Sequence, residues 1–218
     1  MIKIIVGGVG SGKTITAVKH VINRKQKVFC NFELKNYPNH ERLKIEHIIK
    51  EIITENPRGK PTIKYSVNWD FWKDLIKSGT KFDIYIDEAH NIINSRRGMK
   101  SFSICFIKWL TQIRKILGEN ENNHIYFITQ RITSVDIVVR ELAYEVIWCF
   151  KIIKIVNNIK NVYIFNYVFS GYNCLYLFNY FLETEQTYKI CKRTYFYANS
   201  YFKFYNSYEL IEFNDVYL

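Results

Sequence analysis

Residues 7–14 read Gly7-Gly8-Val9-Gly10-Ser11-Gly12-Lys13-Thr14, and the apolar run Ile2, Ile4, Ile5, Val6 leads straight into them. The stretch satisfies the spacing G-x-x-x-x-G-K-[ST] in full. Helical periodicity follows, with Ala17, Val18, Val21 and Ile22 on one apolar face. A strand that opens into a glycine loop and then a helix predicts a phosphate cradle made of residues 7–14. Successive N–H groups of Gly7, Gly8, Val9, Gly10, Ser11 and Gly12 can turn toward an anion where side chains would block it, and the helix lays its positive end beneath. In that reading Lys13 supplies a charge to the β and γ oxygens, and the Thr14 hydroxyl is a Mg²⁺ ligand. A glycine turn without a ligand is the alternative, but a tight turn has no use for the lysine and threonine that follow.

A phosphate loop needs carboxylates, and the strand-like run Phe82-Asp83-Ile84-Tyr85-Ile86 ends in Asp87-Glu88. Asp87 is the candidate for the Mg²⁺ shell, and Glu88, facing elsewhere once the strand has ended, for orienting or deprotonating the attacking water. Another apolar run, His124–Thr129, exits at Gln130. Ligands of open α/β sheets bind outside the carboxyl ends of strands, so Gln130 is placed to read the γ-phosphate or the lytic water, with a bland turn glutamine as the other reading. Phosphoryl transfer also gains from a cation, often from a neighbouring subunit; Arg140, Arg131, Arg96, Arg97 and Arg114 are the candidates, and Arg140, following the Gln130 strand and a short helix, is preferred. Asp87-Glu88-Ala89-His90 spells a helicase box, yet 218 residues leave no room for a second motor domain. His90 is then structural or a contact of Gln130.

The chain is 48% apolar and 17% aromatic, with only 3 prolines, which excludes long disorder and predicts one substantial core. Its net charge of +11 is uneven: residues 1–100 carry 19 Lys/Arg against 10 Asp/Glu, and residues 101–218 carry 12 against 10. Such an excess fits nucleic acid or an acidic surface. Arg96, Arg97 and Lys100, in a polar stretch expected to be a mobile loop, are the candidate nucleic-acid contacts. Cys30, Cys105, Cys149, Cys174 and Cys191 form no C-x-x-C and are odd in number, which predicts a reducing compartment, with no metal set among them and the five histidines. No apolar run reaches bilayer length and the N-terminus has no signal-peptide shape, so the cytoplasm is the expected location, which the viral resemblance given below would make the host cytoplasm, with association with the virion.

Along the chain, strands are expected at 26–32, 62–65 and 146–156, the last turning at Asn157-Asn158 into a strand over 162–169. Helices are expected over 40–55, around Phe71 to Ile76 behind Asn68 or Asp70, over 102–117, and over 135–142 behind Ser134 as cap. The alternation predicts an α/β fold with a mostly parallel sheet covered on both faces. Residues 1–169 form the expected ATPase core. The aromatic-rich residues 170–218 form an extension packed on the core or a neighbouring subunit: an antiparallel ribbon, a subunit contact or a docking arm.

The ordered set G-G-V-G-S-G-K-T at 7–14, I-D-E-A-H at 86–90, W-L-T-Q-I-R-K at 109–115, I-T-Q at 128–130 and V-D-I-V-V-R at 135–140 resembles the additional-strand ATPases of the FtsK–HerA superfamily. Within it, the chain is similar to the Zot-like morphogenesis ATPases of filamentous phages and to viral genome-packaging ATPases. The resemblance covers residues 1–156. It implies a RecA-like P-loop NTPase core, ATP and Mg²⁺ as cofactors, a homo-oligomeric ring, commonly a hexamer, and either double-stranded DNA moved through it or virion assembly driven by it. Lys13 and Thr14 match the Walker A pair, Asp87 and Glu88 the Walker B pair and Gln130 the strand-end sensor, whereas the arginine finger is placed variably. The phage export proteins usually carry a transmembrane helix, which this sequence lacks, favouring a packaging motor whose further partner is a capsid vertex or an internal membrane protein. An assembly ATPase moving coat protein, and a P-loop kinase or nucleotide switch, are the competing readings.

Overall fold

The computed structural model describes residues 1–55, 59–91, 101–117, 122–187 and 189–205, without the side chains of 101–103 and 114. Strand β1 (Ile2–Val6) is buried on both faces and runs into the glycine loop, after which helix α1 (Lys13–Arg24) packs Ala17, Val18 and Val21 fully out of water. Then follow β2 (Lys27–Cys30), β3 (His40–Arg42), one helical turn α2 (Ile45–Ile48), β4 (Ile49–Glu55), β5 (Pro61–Val67), α3 (Trp69–Lys77) and β6 (Phe82–Ile86). The chain continues with α4 (Ser101–Thr111), α5 (Ile113–Leu117), β7 (His124–Thr129), α6 (Ile137–Glu141), β8 (Ala143–Val156), β9 (Ile159–Ser170), α7 (Cys174–Thr184) and β10 (Lys192–Tyr197).

Eight strands form one sheet in the order β10-β9-β8-β1-β7-β6-β2-β3, and β4 and β5 pair as a separate antiparallel hairpin. From β8 to β3 every neighbour is parallel, while β8–β9 and β9–β10 are antiparallel. The expected α/β, RecA-like class is what forms. Its extra strand β7 sits between β1 and β6, with Val6 beside Thr129 and Ile86 beside Phe127. This brings the ends of three strands, and the residues after them, into one row.

Both faces are covered, because β1 sends Ile2, Ile4 and Val6 one way and Ile5 the other. On the Ile5 side, α1 and the segment 198–205 close over Val28, Cys30, Tyr85, Tyr126 and Ile164. On the other, α3 to α5 bury Trp72 and Trp109 over Phe29, Ile84 and Phe127, and α7 buries Phe178 and Phe181 over Val146 and Phe169. The aromatic C-terminal stretch thus supplies α7 and the antiparallel strand β10. Its last described residues cross the α1 face, where Tyr205 bridges Leu34 and packs edge-on against Phe32 at 5.9 Å.

Three local expectations are corrected. Residues 40–55 are a strand, a single helical turn and a second strand. Isoleucine pairs at 48–49 and 52–53 imitate a helical repeat, but β-branched residues prefer the extended pairing that β5 offers through Ile49–Val67 and Ile53–Ile63. Residues 101–117 form two helices, because the chain tightens at Gln112 into i to i−3 bonds: Gln112 N–H to Trp109 O at 3.2 Å and Lys115 N–H to Gln112 O at 2.9 Å. Helix α6 is capped by Asp136, whose carboxylate accepts from the Val138 N–H at 2.9 Å, with Ser134 two residues too early.

Candidate nucleotide-binding site

The loop between β1 and α1 is held open from below. Gly12 has φ +97°, and a Cβ there would lie 2.3 Å from Ile164 Cδ1 of β9. A Cβ on Gly7 would lie 2.5 Å from the Cys149 carbonyl oxygen of β8. The β8–β9 pair is therefore the floor of the loop, and only glycine lets the backbone descend onto it. Gly8, Val9 and Gly10 face solvent, Val9 being 85% exposed, so their backbone is open to an anion. Ser11 N–H returns to Gly8 O at 3.2 Å and sets the curve.

Lys13 is buried, and its Nζ reaches back across the loop to donate to Gly8 O at 2.9 Å. Burial lowers its pKa, and the nearby carboxyls of Asp87 and Glu88 push the other way. The ammonium thus lies inside the cradle at the N-terminus of a 12-residue helix. That is the donor set a triphosphate requires.

Thr14 Oγ1 donates to Asp87 Oδ2 at 2.6 Å. Asp87 is 3% exposed, and burial raises its pKa to about 6, against the opposing hydrogen bonds from Thr14 and the Glu88 N–H. A buried carboxylate beside a hydroxyl, both hard oxygen donors, fits Mg²⁺ completed by phosphate oxygens and water. Among the described residues no group of three or more His, Cys, Asp and Glu could hold a metal by itself.

Asn31, just past β2, is a site residue that the motif spacing does not point to. It is 1% exposed and clamps the Asp87 backbone twice, its Nδ2 donating to Asp87 O at 2.8 Å and its Oδ1 accepting from Asp87 N–H at 2.7 Å. The signal was available: Asn31 is the polar residue at the exit of an apolar run, as Gln130 is.

Glu88 turns away from Asp87 because its backbone is left-handed, φ +50°, with its N–H on Asp87 Oδ1 at 2.8 Å and its carbonyl accepting from Asn91 N–H at 2.8 Å. A non-glycine residue in this region carries about 1–3 kcal/mol of strain, which the surrounding bonds hold in place. Glu88 Oε2 lies 3.3 Å from His90 Nδ1, so His90 contacts Glu88. Gln130 is exposed at the end of β7, in the row between the loop and Asp87.

The arginines are less converged. Arg140 is half-buried and its Nε donates to Val135 O, just before α6, at 3.1 Å, while Arg131 is exposed. Arg96, Arg97 and Lys100 lie outside the described residues, as does the side chain of Arg114. A cation that the sequence reading overlooked is Lys151 of β8, whose Nζ would be 3.5 Å from a Cβ on Gly10. Its signal was weak, a lone lysine within an isoleucine run.

Residues 1–207 match the family described as Zonular occludens toxin (Zot). The structure is similar to the N-terminal domain of zonular occludens toxin from Neisseria meningitidis, with a TM-score of 0.52 and 16% identity over 94% of this chain and 98% of that one. It is also similar to the genome packaging NTPase B204 of Sulfolobus turreted icosahedral virus 2 in complex with AMP, with a TM-score of 0.45 and 16% identity over 92% of this chain and 93% of that one. No curated protein sequence matches the chain. At these identities the structural likenesses speak to fold alone. The sequence match, which runs from β1 past β10 and takes in the loop, Asp87 and Glu88, decides the family: the chain belongs to the zonular occludens toxin (Zot) family.

Proposed function

We propose that this chain binds ATP with Mg²⁺ at the β1–α1 loop, hydrolyses it, and spends the cycle on moving or packaging viral double-stranded DNA as a ring of identical subunits. The observation that carries the nucleotide reading is the 2.6 Å contact of Thr14 with Asp87 beside Lys13 in its cradle. Thr14 and Asp87 would hold the Mg²⁺, which when bound would supply charge neutralisation at the transferred phosphoryl group. Lys13 exchanges its bond to Gly8 O for phosphate oxygens. Glu88 takes the proton of the attacking water or orients it, and Gln130, in the same row, reads the γ-phosphate. A cation from a neighbouring subunit completes the site, with Arg140 the preferred source once it leaves Val135 O.

A net +11, concentrated in residues 1–100, favours a backbone polyanion read without regard to sequence, and Arg96, Arg97 and Lys100 are the proposed contacts. Membership of the Zot family favours a second reading, an assembly ATPase acting on coat protein. ATP hydrolysis measured with and without double-stranded DNA separates the two: stimulation supports the DNA motor, and a DNA-indifferent rate supports assembly. Transfer of phosphate to an acceptor would reject both for a kinase.

A further inference from the structure

Strands β8 and β9 outrun the sheet. All ten residues from 151 to 160 are exposed, and at the tip Ile155 is 72%, Val156 55% and Ile159 61% exposed. The register pairs Ile153 with Val162, Ile155 with Lys160 and Val156 with Ile159. Ile153 and Ile155 therefore stand on the α1 side, and Ile152, Val156 and Ile159 on the other. Asn157 and Asn158, both left-handed at φ 49° and 61°, close the tip in two residues. The β9 strand of the arm is braced from Lys160 to Val162 by Asn199, whose Nδ2 donates to Lys160 O at 2.9 Å and whose Oδ1 accepts from Val162 N–H at 2.9 Å, and by Tyr197 OH on Asn161 Oδ1 at 3.0 Å. This is a stiff arm with aliphatic side chains on both faces.

Its charge is of one sign. Lys151, Lys154 and Lys160 are its ionised groups, and the sequence contains no Asp or Glu between Glu145 and Glu183. A protein partner lying on one face would leave the other apolar face in water. Duplex phosphates would call for a row of cations, whereas at the tip Lys160 stands alone among Ile155, Val156 and Ile159. A lipid interface surrounds an inserted tip on all sides, and the flanking lysines, Lys160 level with Ile155 and Lys154 one pair behind, meet anionic headgroups while their stems lie along the apolar surface. The β4–β5 hairpin makes a useful contrast: it exposes Ile53 at 72% and Ile63 at 55%, but Glu51 and Glu55 alternate with its lysines.

We propose that the β8–β9 tip docks this protein onto an anionic lipid bilayer, inserting Ile155, Val156 and Ile159 among the headgroups. This goes beyond the nucleotide reading and does not depend on it.

The test is sedimentation of the full chain with vesicles of phosphatidylcholine alone or mixed with phosphatidylglycerol. Binding is expected only to the mixed vesicles. It should fall at least about tenfold in a triple Ile155→Ser, Val156→Ser, Ile159→Ser variant, and about fivefold for each of Lys154→Glu and Lys160→Glu. An Ile53→Ser, Ile63→Ser variant of the other hairpin should bind as the parent does. Unchanged melting temperature and nucleotide affinity of the triple variant show that the fold survives. Absence of binding by the parent, equal loss in the β4–β5 variant, or binding unaffected by the triple change overturns the proposal. So does a tip change that abolishes only self-association or only DNA retention.

Discussion

Thr14 and Asp87 are 73 positions apart in sequence and 2.6 Å apart in space, a hydroxyl on the first turn of α1 donating to the carboxylate that follows β6. The parallel order β1-β7-β6 makes the meeting possible, since it brings both strand ends to the same edge. Asp87→Asn keeps the shape and removes the charge. Hydrolysis should fall at least about a hundredfold, with the dependence on Mg²⁺ concentration displaced upward.

The same substitution should stabilise the ligand-free protein. The folded pKa of Asp87, about 6, lies above its ordinary value of 3.8. Its contribution to stability is therefore fully present below pH 3.8 and is lost as pH rises through about 6. At neutral pH the buried charge costs up to about 3 kcal/mol, and Asp87→Asn removes that cost. Denaturant titrations of parent and variant, in the absence of nucleotide, should differ in that direction above pH 6 and converge in acid.

Glu88 separates chemistry from strain. Glu88→Gln should cut turnover by about 10²- to 10⁴-fold while ATP still binds. Glu88→Gly should be equally inactive yet melt no lower than Glu88→Gln, because glycine accepts φ +50° freely. A melting temperature well below that of Glu88→Gln would contradict the strained geometry.

At Gly12, two penalties coincide. Gly12→Ala places a methyl 2.3 Å from Ile164 Cδ1 at φ +97°, and should destabilise by at least about 2 kcal/mol. Adding Ile164→Ala should relieve the clash but not the backbone strain. A double-mutant cycle on chemical denaturation reads the coupling.

His20 is held neutral. Burial, with Lys3, Lys19 and Arg24 acting in the same sense, brings its pKa to about 3, and His124 behaves alike. The folded values lie below the unfolded 6.5, so their stability is present above pH 6.5 and is lost as pH falls from there toward 3. His20→Phe, which can keep the ring contact with Tyr126 at 5.6 Å, should flatten the acid limb of the stability profile relative to the parent. An unchanged slope would mean that His20 is protonated in the fold.

What the sequence disclosed was what local chemistry carries. The glycine spacing, the paired carboxylates after an apolar run and the polar exit residue Gln130 follow from the needs of a triphosphate. The tight turn at Asn157-Asn158 needs only two residues willing to be left-handed. Less legible was whatever depends on a distant partner. Residues 40–55 become strand because β5 is there to pair, and β10 finds its register only along β9. Asn31 and Lys151 reach the site from strands that lie on either side of β1 and β6 in the sheet order, which alternating periods alone do not reveal.

The most direct measurement is calorimetric titration of the purified chain with ATPγS in the presence of Mg²⁺. Saturable binding that disappears in Lys13→Ala and weakens at least about tenfold when Mg²⁺ is chelated is the predicted result. No heat of binding, or binding indifferent to Lys13, would contradict a nucleotide site built from the β1–α1 loop and Asp87.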